Sequence, residues 1–180
     1  MRTLVLALVA AASVLVIAPV ADAHGRLLAP RGTCGGAERK IWKSDRAQQR
    51  AMRCLLRHAR RRAGHARLRS SRRLNRGAER KANRIASCGS FSHTPCGRSF
   101  ASTYRRTGYG RGSWSVGEVI GWGSRGRGSA RSIVHRWLHS SSHRSTIVRR
   151  WRHVAVGRRY ERSLWGHRRV TVWVVGFGRP

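Results

Sequence analysis

The chain has 180 residues, with 39 basic and six acidic side chains and a formal net charge of +33. That length suits one domain with a packed core and is short for two ordinary ones. With 40% hydrophobic residues the chain is too apolar to read as disordered, so its charge reads as a property of the surface.

Arg2, an apolar run from Leu4 to Ala18 and the triplet Ala21-Asp22-Ala23 read as a secretory signal peptide over 1–23, cleaved after Ala23. The alternative is an uncleaved anchor, since the run is nearly long enough to span a bilayer; Pro19 and the A-x-A site favour cleavage. The expected product is secreted and extracellular, with an N-terminal arm over 24–43 and a single domain over 44–180. Export changes how the cysteines read. An even set of four (Cys34, Cys54, Cys88, Cys96) in an oxidising compartment implies disulfides. Cys88 and Cys96 bracket a short turn containing Gly89, Pro95 and Gly97, which leaves Cys34 to tie the arm to Cys54. Neither pair has the spacing of a zinc finger.

Ser44 or Asp45 can cap a first helix, with Ala47, Ala51, Met52, Leu55, Leu56 and Ala59 on its apolar stripe and Gly64 at its end. A second helix is expected from about Ser70 to Ser87, carrying Leu74, Ala78, Ala82, Ile85 and Ala86 on one face. A shorter one spans Ser99 to Arg106, with Phe100 and Tyr104 at i, i+4 spacing. Residues 114–122 alternate loosely and read as a strand, and Gly123 to Gly128 as a flexible loop. Ser129 caps a helix whose Ile133, Val134, Trp137 and Leu138 face the core; it fades at Ser140-Ser141-Ser142, and a short helix carries His143 to Val148. Val154–Val156 and Val170–Val175 are β-branched runs bounded by glycine and read as two strands. Helices first and strands last argue α+β, with helices flanking a small sheet.

Only three basic residues are lysine: Lys40, Lys43 and Lys81. Codon bias toward arginine on a solvated surface accounts for this, and a field of this sign also attracts anionic polymers and membrane surfaces without sequence selectivity. Specific nucleic-acid recognition is not expected, because the Arg-rich stretch 57–84 has no aromatic side chain for stacking.

Glu118 is the sharpest single signal. It alone among the acidic residues of the mature chain sits in an apolar, glycine-flanked run, and a carboxylate there needs a charged or hydrogen-bonding partner. His135, His139 and His143 recur at helical spacing, but His135 and His139 lie opposite the apolar stripe and read as solvent-facing. There is no H-E-x-x-H, G-x-S-x-G or phosphate-binding glycine loop.

Four runs in order, Phe91-Ser92-His93-Thr94, Gly117-Glu118-Val119-Ile120-Gly121-Trp122-Gly123, Trp137 to Arg144, and Val154-Ala155-Val156-Gly157, resemble the CAP superfamily of cysteine-rich secretory proteins, venom antigens and plant pathogenesis-related proteins. The likeness is closest to its short bacterial secreted SCP-domain members and covers about residues 34–178. It implies a three-layer α-β-α sandwich around a small, mainly antiparallel sheet. It also implies that His93, Glu118 and His143 meet in one open cleft, with Ser140 and His153 on its rim. Two neutral imidazoles there could take a divalent metal, zinc being the natural candidate through His93 and His143, or work as general acid and base. The pattern is broken in places: Ser140 stands where many members carry a second Glu, His153 where short bacterial members carry one, and Val119, Ser141-Ser142 and Gly176 replace other motif positions. The expectation is therefore a monomeric extracellular binding module with a degenerate His/Glu cleft, its ligand a lipid or cell-wall component. A metal-assisted hydrolase of extracellular peptide or cell-wall material is the alternative, and a cationic coat for anionic polymers or membranes a third reading.

Overall fold

The computed structural model describes residues 25–38, 45–110 and 112–180; the leader over 1–23 and Ser44 lie outside them. Helix α1 (Asp45–Arg62) is followed by strand β1 (Arg69–Ser70), α2 (Arg72–Ser87) and the single-turn α3 (Ser102–Arg105). Then come β2 (Ser115–Ser124), α4 (Ala130–His139), α5 (Ser141–Val148), β3 (His153–Leu164) and β4 (His167–Arg179). The sheet order is β1-β3-β4-β2. Its long pairs are antiparallel, and only the short β1 runs parallel to β3.

Strand alternation sorts the core into two layers. Val119, Val154, Val156, Trp173, Val175 and Phe177 point to the side covered by α1, α4 and α5. Ile120, Ala155, Val170, Val172 and Val174 point to the side covered by α2 and α3. This is the expected α+β sandwich. Helix α2 lies hard against β3: a Cβ at Gly157 would collide with the Ala78 backbone, so glycine there sets the depth of the α2 layer.

Capping explains where the helices begin. The Ser71 hydroxyl accepts from the Leu74 amide at the start of α2, and Ser129 from the Ser132 amide at the start of α4. Disulfides join Cys34 to Cys54 and Cys88 to Cys96. The first fastens the arm to α1, and the second closes the turn that carries His93.

Several expected boundaries are corrected. The third helix is one turn, not Ser99 to Arg106. Residue 70 is not helical; the Arg69 amide donates to the Arg152 carbonyl at 2.9 Å and pulls this segment into the sheet. Residues 123–128 are not a loose loop. β2 runs on to Ser124, a 3₁₀ turn spans Arg125–Gly128, and the Trp173 indole donates to the Gly128 carbonyl at 2.9 Å. The strands expected at Val154–Val156 and Val170–Val175 extend into one long hairpin, whose tip beyond the Ser124–Val170 pairing is a two-stranded ribbon carrying exposed Arg162, Arg168 and Arg169. Its two-residue turn, Trp165-Gly166, has φ of 52° and 73°, a conformation that favours Asn-Gly over Trp. Trp165 holds it through Trp122 (ring centroids 5.2 Å apart) and an indole bond to the Gly89 carbonyl at 2.8 Å.

Candidate functional site

β2 is an edge strand, so the helical layers on the two faces of the sheet can meet around it. At that edge they enclose a cavity of about 610 Å³ lined by His93, Trp122, Arg136, Trp137, Ser140 and His143, among others. Gly121 forms part of the wall; a Cβ there would press on Ile133 and Trp137, so glycine lets α4 come close to the strand.

Glu118 lies behind His93, with its side chain fully buried. Its even position in β2 turns it to the α2/α3 side, where three groups order it. Its Oε1 accepts from His93 Nδ1–H at 2.7 Å. The Lys81 ammonium stands 3.3 Å from both carboxylate oxygens. The Tyr104 hydroxyl donates to Oε2. Lys81 itself is inaccessible and also donates to the backbone carbonyls of His93 (2.8 Å) and Phe100 (3.0 Å). One ammonium therefore both neutralises the carboxylate and fixes the loop that bears His93. Burial lowers the Lys81 pKa, with Glu118 opposing that fall. Burial, and then the Glu118 charge, hold the Tyr104 phenol well above its ordinary value, so it stays a donor.

Glycines make room for this network. Tyr104 fits against Gly77 of α2 and Gly176 of β4, and a Cβ at either would meet its ring. Gly176 is paired with Glu118 across the sheet, so the absence of a side chain there admits the phenol over the strand.

The carboxylate accepts from His93 Nδ1, which assigns the proton to Nδ1 in the neutral ring and leaves the Nε2 lone pair free. The His93 side chain is 46% exposed. His143 comes from α5 on the opposite side, its Nδ1 2.7 Å from the Ser140 hydroxyl. Burial first, then the His93 charge, lower its pKa. The cavity thus presents two imidazoles, the Arg136 guanidinium and two hydroxyls (Ser92, Ser140) over an apolar wall.

His93, His143 and Ser140 share this cavity, with Glu118 directly behind. His153 does not belong to its rim. It sits on β3 in register with Gly178, two strands from β2, and its Nδ1 is 2.9 Å from the Tyr109 hydroxyl. The intervening β4 puts it roughly 10 Å from the β2 edge, and its partner Tyr109 packs over Gly178 of β4. His135 and His139 are exposed on α4, their rings 4.2 Å apart.

Sequence reading missed Lys81 and the role of Tyr104. The signal for Lys81 was available: it is a rare lysine and falls on the apolar stripe of α2, three residues after Ala78 and four before Ile85. Tyr104 read as core because its partner is distant in sequence.

Metal ligation finds a short donor set. The Glu118 oxygens are committed to an ammonium, a phenol and an imidazole, which leaves two imidazole nitrogens. Among the described residues no three His, Cys, Asp or Glu side chains are arranged to hold a metal ion; bound zinc keeps three or four protein ligands.

The fold is thus an α-β-α sandwich with a carboxylate-backed histidine at an edge-strand cavity. The family model described as the cysteine-rich secretory protein family, CAP, matches residues 48–177, and the chain belongs to that family. Two solved structures share the fold. One is an extracellular protein containing an SCP domain from Bacillus anthracis str. Ames (TM-score 0.59, 15% identity), with 76% of this chain and 44% of that one covered. The other is an outer surface protein from Borrelia burgdorferi (TM-score 0.60, 18% identity), with 78% and 96% covered. This chain therefore matches less than half the length of the Bacillus protein. No curated protein sequence matches the chain. Among the described residues no helix is long and apolar enough to cross a membrane.

Proposed function

We propose that this protein is a secreted binding module that takes a small ligand, or one end of a larger lipid or cell-wall molecule, into the cavity at the β2 edge. One observation carries the reading: a buried carboxylate, fixed by Lys81 and Tyr104, holds His93 with its Nε2 lone pair free beside a cavity of ligand-binding size. The arrangement recognises a ligand donor at His93 and an acceptor or anion at Arg136, while Trp122, Ile120 and Ile133 cover apolar surface. The dyad of His93 and Glu118 has the parts of a general base, but among the described residues no activated nucleophile is bonded to it. Two unshared imidazoles are too few protein ligands for a zinc hydrolase, so binding is the better-supported reading. The monomer is retained as part of this proposal.

The experiment is binding of muropeptide fragments and of phosphatidylglycerol to the wild type, His93→Ala and His143→Ala at low and high salt. Binding that survives high salt and is lost in His93→Ala supports the cavity. Binding that vanishes with salt and ignores both substitutions favours the cationic-coat reading, which the net charge of +33 supports. Metal analysis of the same proteins tests zinc: stoichiometric metal lost in both variants would restore the hydrolase.

A further inference from the structure

A second concavity lies away from His93, between α1, the segment after it and the start of β3. Its volume is about 280 Å³, and five arginines (Arg50, Arg53, Arg57, Arg60 and Arg67) line it without a single acidic side chain. Four of these recur along α1 at steps of three, four and three, so they form one stripe on the helix. Like charges at that spacing repel and destabilise a helix. Among the described residues none of the five is within ion-pair distance of a carboxylate. The floor is different in kind: Leu56, Ala66, Leu68 and Val154 are apolar.

Two of the guanidiniums are held in place before any ligand arrives. Arg60 is 3% exposed and donates to the carbonyls of Ile147 (2.6 Å), Arg149 (2.8 Å) and Ala66 (3.4 Å). Arg53 donates to the Asn75 side chain at 3.0 Å. Each still has a buried Nε–H with no partner, a state that costs free energy until an acceptor is found. Burial lowers the pKa of both, with the Glu79 charge opposing the fall at Arg53. Arg50, Arg57 and Arg67 are exposed and complete the ring.

We propose that this concavity binds an organic phosphate, a phosphate monoester whose dianionic head meets the arginine ring and whose short apolar substituent covers the floor. A guanidinium fork matches a tetrahedral oxyanion with paired hydrogen bonds, and a dianion offsets more of the ring's repulsion than a carboxylate does. The volume is at the small end for ligand sites, so it takes a headgroup with a few carbons and not a whole lipid. No aromatic ring lines the site, so the apolar part is aliphatic and not a nucleobase.

The test is calorimetric titration of the full chain with n-butyl phosphate, inorganic phosphate and butyrate at near-physiological salt. Butyl phosphate is expected to bind about tenfold more tightly than inorganic phosphate, because burying part of a butyl group adds roughly that factor. Butyrate is expected to bind more weakly than the ester. Arg57→Gln combined with Arg67→Gln should weaken the ester by about tenfold or more. Arg162→Gln combined with Arg168→Gln, which removes the same charge from the far end of the hairpin, should change it less than about twofold. Inorganic phosphate binding as tightly as the ester would overturn the proposal, as would absence of ester binding or equal losses in the two double variants. Phosphatidylcholine vesicles doped with phosphatidate identify the source: association lost in the Arg57/Arg67 variant assigns a lipid headgroup, and association unchanged by it assigns a soluble ester.

Discussion

The two faces of the sheet are built from the same strands and bury different things. Toward α1, α4 and α5 the core is mainly apolar, with Trp173, Phe177, Ile133 and Leu138 packed among aliphatic and aromatic neighbours. Toward α2 and α3 the same strands bury Glu118, Lys81 and Tyr104 together. The first face gains mainly from apolar burial, with the Arg60 and Arg158 guanidiniums buried and paired at its margin. The second takes a carboxylate and an ammonium out of water, a loss their attraction only roughly offsets, and in return holds one imidazole in a fixed tautomer. The difference is that the α2/α3 face supplies the buried charges that order His93, while α4 and α5 on the other face supply Arg136, Trp137 and His143 to the cavity.

Removing one member of the buried pair should have the largest effect. Lys81→Met leaves Glu118 without its cation and is expected to cost about 3–5 kcal/mol in denaturant unfolding. Adding Glu118→Leu should return most of that loss, since an apolar pair is often no worse than a buried ion pair. A double variant no more stable than Lys81→Met would break the comparison. Leu138→Ala, on the apolar face, should cost about 2–4 kcal/mol through a cavity and have no rescuing partner. Tyr104→Phe removes one donor from a carboxylate that retains two, and should cost about 1–2 kcal/mol with weaker ligand binding at the cavity.

The smallest effect is in acid. The folded chain lowers the His143 pKa below its ordinary 6.5, so it binds this proton less readily than the unfolded chain does. Stability from this group is complete above about pH 6.5 and is lost as pH falls from there through the folded value. His143→Gln should therefore flatten the loss of melting temperature below about pH 6.5. His58, His135 and His153 are lowered too, so the slope becomes shallower and does not vanish. An unchanged slope would remove His143 from the account.

Much of this was legible in the chain. The apolar stripes of α1, α2 and α4 and the Ser129 cap are local signals that led to the right elements, and the glycine-flanked run marked Glu118 as a carboxylate in need of a partner. The cysteine pairing followed from loop length. What escaped was whatever depends on a partner far away in sequence. Trp165 turns the hairpin because Trp122 and Gly89 receive it, and nothing in Trp-Gly itself says turn. The resemblance implied His153 on the cavity rim, but here it pairs with the Tyr109 hydroxyl. Lys81 was visible as a charge on an apolar face, and only the position of Glu118 gives it a role.

The central claim is that Glu118 holds His93 with its proton on Nδ1 and its Nε2 lone pair free. Long-range ¹H–¹⁵N NMR of the imidazoles at about pH 8, well above the ordinary histidine pKa, reads this directly. The account predicts a protonated Nδ1 and an unprotonated Nε2 for His93, with this preference lost in the Lys81→Met/Glu118→Leu variant. A His93 ring protonated on Nε2 in the wild type would contradict it.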